Sequence, residues 1–149
     1  MKTRRYKNAF RQQLLVKINR LSGSVFDRQD LVAESSNQAQ LQLNRALNVL
    51  VDERHIIKIS HGLYAKAATM RFPDGETQTI LQEDFEKVAI AALNKLGVSW
   101  EFSEAIQAYN RGDTTQVPVV FSVKLNSRFR GTIQAEGRTL LFEGNKNAR

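Results

Sequence analysis

Three features of the 149-residue sequence predict an α+β chain in two parts. Helical spacing of apolar residues dominates positions 8–53, while strand-like runs around glycine turns occupy 55–67 and 117–143. Between them a Pro73-Asp74-Gly75 turn marks a boundary near residue 71, giving parts 1–70 and 71–149.

Phe10, Leu14, Ile18 and Leu21 share one side of a first helix over 8–21, and Arg4, Arg5, Lys7 and Arg11 lie at or before its first turns as a basic arm. Gly23 ends that helix, and Val25 and Phe26 form a short extended piece. Asp27 and Asp30 have the N-cap and N3 spacing that opens a second, short helix reaching about Glu34. Ser35, Ser36 and Asn37 make a turn with a capping residue. A third helix then runs without glycine or proline to about Glu53.

On that third helix Leu43, Ala46, Leu47 and Leu50 cluster on one face, and Gln38, Leu41, Arg45, Asn48 and Asp52 fall roughly opposite. HIIKISHGLYAKA, residues 55–67, reads as two strands around a His61-Gly62 turn flanked by Lys58 and Lys66. Helix, strand stub, helix, helix and hairpin in this order are the elements of a winged helix-turn-helix.

In the second part, Phe85, Val88, Ala89, Ala92, Leu93 and Leu96 repeat helical spacing over 83–96 until Gly97. Ser103 caps a short helix to about Asn110, preceded by Trp100 and Phe102, which with Tyr109 read as core rather than pocket. VPVVFSVKL, RGTIQA and RTLLFE follow as strands, the last two joined by Glu136-Gly137. This predicts a small α+β domain, helices first and an antiparallel sheet after.

The net charge of +7 is unevenly divided. Residues 1–70 hold 12 basic and 5 acidic side chains, whereas residues 71–149 hold 10 of each. An excess confined to one half predicts a surface with an anionic partner. With no cysteine, disulfides, thiolate metal sites and cysteine nucleophiles are excluded, and a cytoplasmic location is expected. The cationic first residues lead into a mixed sequence rather than an apolar block, so a cleaved signal peptide is not expected, and no window approaches the roughly 18 apolar residues of a membrane helix.

Double-stranded DNA is the expected partner. Glutamine and asparagine pair bidentately with adenine, arginine with guanine, and an exposed leucine meets a thymine methyl. The third helix offers Asn37, Gln38, Leu41, Gln42, Arg45 and Asn48. Arg4, Arg5, Lys7 and Arg11 suit phosphates or, as a flexible arm, a minor groove; Lys58, His61 and Lys66 suit the backbone beside the groove. Amides are also ordinary helix surface, Arg45 equally suits an ion pair with an acid on the second helix, and His61 equally suits a polar turn. Catalysis is not expected: His55 and His61 form no HExxH, and neither GxSxG nor a glycine-rich phosphate loop occurs. No metal or cofactor is expected either.

Residues 43–66, LNRALNVLVDERHIIKISHGLYAK, resemble the winged-helix segment of AbiEi-type antitoxins, with Arg45-Ala46-Leu47 on the recognition helix and Gly62-Leu63-Tyr64 on the wing. Residues 108–123 resemble a second motif of that family, carried by Asn110, Gly112, Thr115, Gln116, Val117 and Pro118. The resemblance implies an antitoxin of a type IV toxin-antitoxin system, which represses its own promoter and counteracts a nucleotidyltransferase toxin. A further partner is then such a toxin, and a two-fold repeat in the bound DNA would add a second copy of the chain. Two other classes compete: a winged-helix protein-interaction module or stand-alone repressor, separated by co-purification and promoter binding, and a small enzyme, separated by loss of activity on an acid-to-amide change.

Overall fold

A computed structural model describes residues 2–31, 36–118 and 120–143, with the backbone alone for 2–8. The fold is α+β, and the chain divides into two compact units, Met1–Asp84 and Phe85–Arg149.

Unit 1 runs α1 (Lys2–Arg20), β1 (Val25–Asp27), a 3-10 turn (Arg28–Asp30), α2 (Asn37–Asp52), β2 (Ile56–Ser60), β3 (Leu63–Arg71) and β4 (Thr77–Leu81). The predicted third helix is therefore α2. Asp27 and Asp30 form the expected box: Asp27 Oδ1 accepts from the Asp30 amide at 3.1 Å and Asp30 Oδ2 from the Asp27 amide at 2.9 Å. They open a three-residue 3-10 turn, not an α-helix, and the predicted end near Glu34 lies outside the described residues. Ser36 Oγ accepts from the Ala39 amide at 3.2 Å and caps α2.

The core of this unit joins Leu14 and Ile18 of α1, Phe26, Leu31, the α2 stripe Leu43, Ala46, Leu47 and Leu50, and Ile56 and Tyr64 of the sheet. Phe26 stacks on Tyr64 with ring centroids 5.9 Å apart. β3 organises the sheet. Its first half lies between β1, in register Val25↔Ala65, and β2, in register Ile57↔Ala65, both antiparallel. Its second half pairs with β4 through Thr69↔Thr79.

That second pairing moves the domain boundary. Pro73, Asp74 and Gly75 close the β3–β4 hairpin, with the Phe72 amide donating to the Glu76 carbonyl at 2.8 Å and Gly75 at φ 92°. The division falls between Asp84 and Phe85 rather than near residue 71.

Unit 2 runs α3 (Phe85–Lys95), β5 (Trp100–Phe102), α4 (Glu104–Arg111), β6 (Ser122–Leu125), β7 (Gln134–Ala135), β8 (Arg138–Thr139) and β9 (Leu141–Phe142). Phe85, Val88, Ala89, Ala92 and Leu93 are the buried face of α3, and Val123, Ile133 and Leu140 are buried beyond it. β7 and β8 form an antiparallel hairpin with Glu136 and Gly137 both at positive φ, the primed turn that matches strand twist. β6 pairs antiparallel with β5, but β9 lies parallel to β6. The run 138–143 is divided because Leu140 turns inward and donates its amide to the Ile133 carbonyl at 2.9 Å. The strand expected over 117–125 begins only at Ser122; Pro118 has no amide to give a ladder. Trp100 and Phe102 are half-buried and meet edge to face at 5.2 Å, whereas Tyr109 is exposed.

Two expected outcomes test these local features. α2 ends in a Schellman arrangement, with the His55 amide on the Leu50 carbonyl and the Arg54 amide on the Val51 carbonyl, and it places Arg54 at φ 65°. Arg54→Gly removes the left-handed penalty and raises unfolding free energy by about 0.5–1 kcal/mol; a lower urea midpoint would refute this account. In unit 2 the backbone amide at Glu86, and then Arg138 at 2.9 Å, hold the Glu86 carboxyl below the usual range. A depressed folded-state value means the stabilisation is in place above the ordinary carboxylate range and is lost as pH falls through the depressed value. Denaturation across acidic pH is expected to show that loss, and Glu86→Gln to flatten it.

Candidate nucleic-acid interface

Burying Leu43, Ala46, Leu47 and Leu50 fixes the rotation of α2. The helical period then puts Asn37, Gln38, Leu41, Arg45 and Asn48 in solvent, with Leu41 at 55% exposure and Gln42 half-buried. Arg45 has no ion-pair partner among the described residues, and Glu34, an acid of the predicted second helix, lies outside them. One face of α2 therefore offers amide donors and acceptors, an exposed guanidinium and an apolar side chain along a single ridge.

Arg28, on the 3-10 turn, braces this helix from the side. Its Nη1 donates to Asn44 Oδ1 at 2.7 Å. Burial lifts the Tyr64 hydroxyl above its ordinary value, and the charge of Arg28 opposes that lift. Arg28 and Asn44 were not among the residues the sequence points to. Asn44 sits between the core and outward arcs of α2, and only the pairing partner gives it a role.

The basic arm requires correction. α1 begins at Lys2, so Arg4, Arg5 and Lys7 stand on a helix continuous with Arg11 and not on an extended segment preceding it. Residues 2–8 contain no glycine or proline to stop the helix. Arg11 is half-buried. These positions remain suited to phosphates through helical spacing, but not to a flexible reach into a minor groove.

On the hairpin, Lys58 and His61 are exposed, and Gly62 at φ 71° makes the turn between β2 and β3. Lys66 is a second correction: it is 9% exposed, and its Nζ donates to the Leu21 carbonyl. Its amide donates to the Ser24 carbonyl at 2.8 Å and its carbonyl accepts from Gln82 at 3.1 Å. The first half of β3 has a strand on each side, so Leu63, Tyr64, Ala65 and Lys66 are all buried. Lys66 ties the end of α1 to the sheet and is not a surface contact. Lys17 acts in the same manner, its Nζ donating to the Leu31 carbonyl.

The residues of the family resemblance divide by position. Ala46, Leu47, Leu63 and Tyr64 are buried and Gly62 makes the turn, so packing and backbone account for them; Arg45 alone is on the surface. In the second motif Gly112, at φ 80°, ends α4, and Thr115, Gln116 and Val117 are exposed outside any strand or helix.

Among the described residues, no group of three or more histidine or acidic side chains is placed to hold a metal ion, and no helix is long and apolar enough to cross a membrane. His55 lies at the surface 4.0 Å from Glu53. No protein-family model matches the chain, and neither does any curated protein or solved structure.

Lys66→Met keeps the buried stem and leaves the Leu21 carbonyl without its charged donor. It is expected to lower unfolding free energy by about 1–3 kcal/mol. An unchanged denaturation midpoint would return Lys66 to the list of surface cations.

Proposed function

We propose that the chain is a DNA-binding transcriptional regulator of antitoxin type, with unit 1 acting as a winged helix-turn-helix and α2 as its recognition helix. The observation that carries this reading is the outward face of α2. Gln38, Leu41, Arg45 and Asn48 are exposed on one ridge, and Arg45 is uncommitted to any described carboxylate. Such side chains hydrogen-bond base edges in a major groove wide enough for a helix. The positive excess lies in the same half of the chain. Arg4, Arg5, Lys7 and Arg11 on α1, with Lys58 and His61 on the hairpin, serve the phosphates, which position the protein without reading sequence.

The antitoxin part of the reading is supported by the resemblance in residues 43–66 and 108–123. It assigns repression of the chain's own promoter to unit 1 and action against a nucleotidyltransferase toxin to unit 2, in the cytoplasm and without catalysis by this chain. Growth rescue from a nucleotidyltransferase encoded beside the gene tests that part separately from DNA binding.

DNA binding itself is tested with a duplex from the region upstream of the gene and a shuffled duplex of equal length. The logarithm of the association constant is expected to fall linearly with the logarithm of salt, by about 0.9 per phosphate contacted. Arg45→Ala is expected to cost about 1–3 kcal/mol on the upstream duplex and little on the shuffled one. Lys58→Ala is expected to weaken both alike. A salt-independent association, or the reverse assignment of the two variants, would rule out this placement of the interface.

A further inference from the structure

Unit 2 contains a cationic loop that no carboxylate among the described residues pairs with. Arg111 is paired with Asp113 at 2.9 Å and Glu104 at 3.4 Å, Lys124 with Glu104 at 3.3 Å, and Arg138 with Glu86 at 2.9 Å. Arg128 and Arg130, between β6 and β7, are both exposed and have no ion-pair partner among the described residues. They flank Phe129, which is half-buried and meets the Phe142 ring edge to face at 5.9 Å.

The anchor is tight. A Cβ on Gly131 would come within 2.8 Å and 2.9 Å of two carbons of the Phe129 ring, so the ring lies directly against the glycine backbone. A pinned aromatic with an arginine on either side holds two positive charges outward at small entropic cost. Their Cα atoms lie no more than about 7 Å apart. A duplex presents one phosphate charge per about 1.7 Å of its axis, so both guanidinium groups can be neutralised within one short stretch of backbone.

We infer that the Arg128–Arg130 loop is a second phosphate-binding site, which grips the nucleic-acid backbone independently of the base-reading face of α2. This rests on the DNA-binding reading given above. The surroundings favour a phosphate backbone over an acidic protein. Asn126, Ser127, Gly131 and Thr132 are exposed and polar or bare, and give no apolar centre of the kind a protein interface needs. Phosphate contacts need none, and serine, threonine and asparagine side chains add neutral donors to phosphate oxygens beside the arginines.

The test uses the full-length chain, the upstream duplex and the shuffled duplex. Arg128→Ala combined with Arg130→Ala is expected to weaken binding to both duplexes by the same factor and to make the salt slope shallower by about 1.8, two phosphates at 0.9 each. The ratio of the two affinities is expected to stay as in the parent chain. Lysine at both positions restores the slope. Gly131→Ala, which keeps both charges but displaces Phe129, is expected to weaken binding with a smaller change in slope. An unchanged slope in the double alanine variant, with the Arg45 effect intact, overturns this inference and leaves the α2 reading standing; it would assign the loop to another anion, such as an acidic protein surface. Failure of the parent chain to bind either duplex removes both.

Discussion

The burial of one stripe on α2 is the constraint from which the surface of unit 1 follows. Leu43, Ala46, Leu47 and Leu50 are at most 5% exposed, and each large side chain removed from water contributes about 1.5–3 kcal/mol. Turning the helix by a single residue, about 100°, would take most of that stripe into solvent and drive Arg45 or Gln38 inward. The rotation is thus fixed by the core, and the outward ridge is its geometric complement. Ser36 at one end and the Arg54 Schellman turn at the other set where that ridge starts and stops.

β3 imposes a second order on the molecule. Flanked on both sides in its first half and paired with β4 in its second, it takes Leu63–Lys66 through the interior and then carries Thr69–Arg71 into solvent. A charged residue on the inner half must be satisfied locally, and Lys66 is, by the Leu21 carbonyl at the end of α1. The same Nζ–carbonyl device recurs where Lys17 meets Leu31. Two of the twelve cations in residues 1–70, Lys17 and Lys66, therefore hold segments together, and a third, Arg28, braces α2 through Asn44.

Much of this was legible because its causes are local. Apolar spacing gave the faces of α2 and α3; the Asp27 and Asp30 box, the Ser36 and Ser103 caps and the Glu136-Gly137 turn are chemistry within four residues. What was not legible depends on partners distant in the chain. Pro73-Asp74-Gly75 has the same composition at a hairpin tip as in a linker, and the polar Thr77-Gln78-Thr79 gives little strand signal of its own. Nothing near Lys66 shows that β1 and β2 will both lie beside it. The split of 138–143 depends on Ile133 receiving Leu140, seven residues away. For the candidate interface, the ridge on α2 was readable, whereas Arg28 bracing Asn44 and the helical state of Arg4 to Lys7 required the fold.

If α2 reads DNA as proposed, its finite length limits how much information it can read. From Gln38 to Asn48 the ridge covers ten helical steps, about 15 Å. That is about four base-pair steps at 3.4 Å each. Four steps join five base pairs, and a five-letter word recurs about once in 1,024 positions, against the million or more competing sites of a genome. On the proposed reading, discrimination on a chromosomal scale requires more than one such word, as two or more recognition helices at a set spacing would supply.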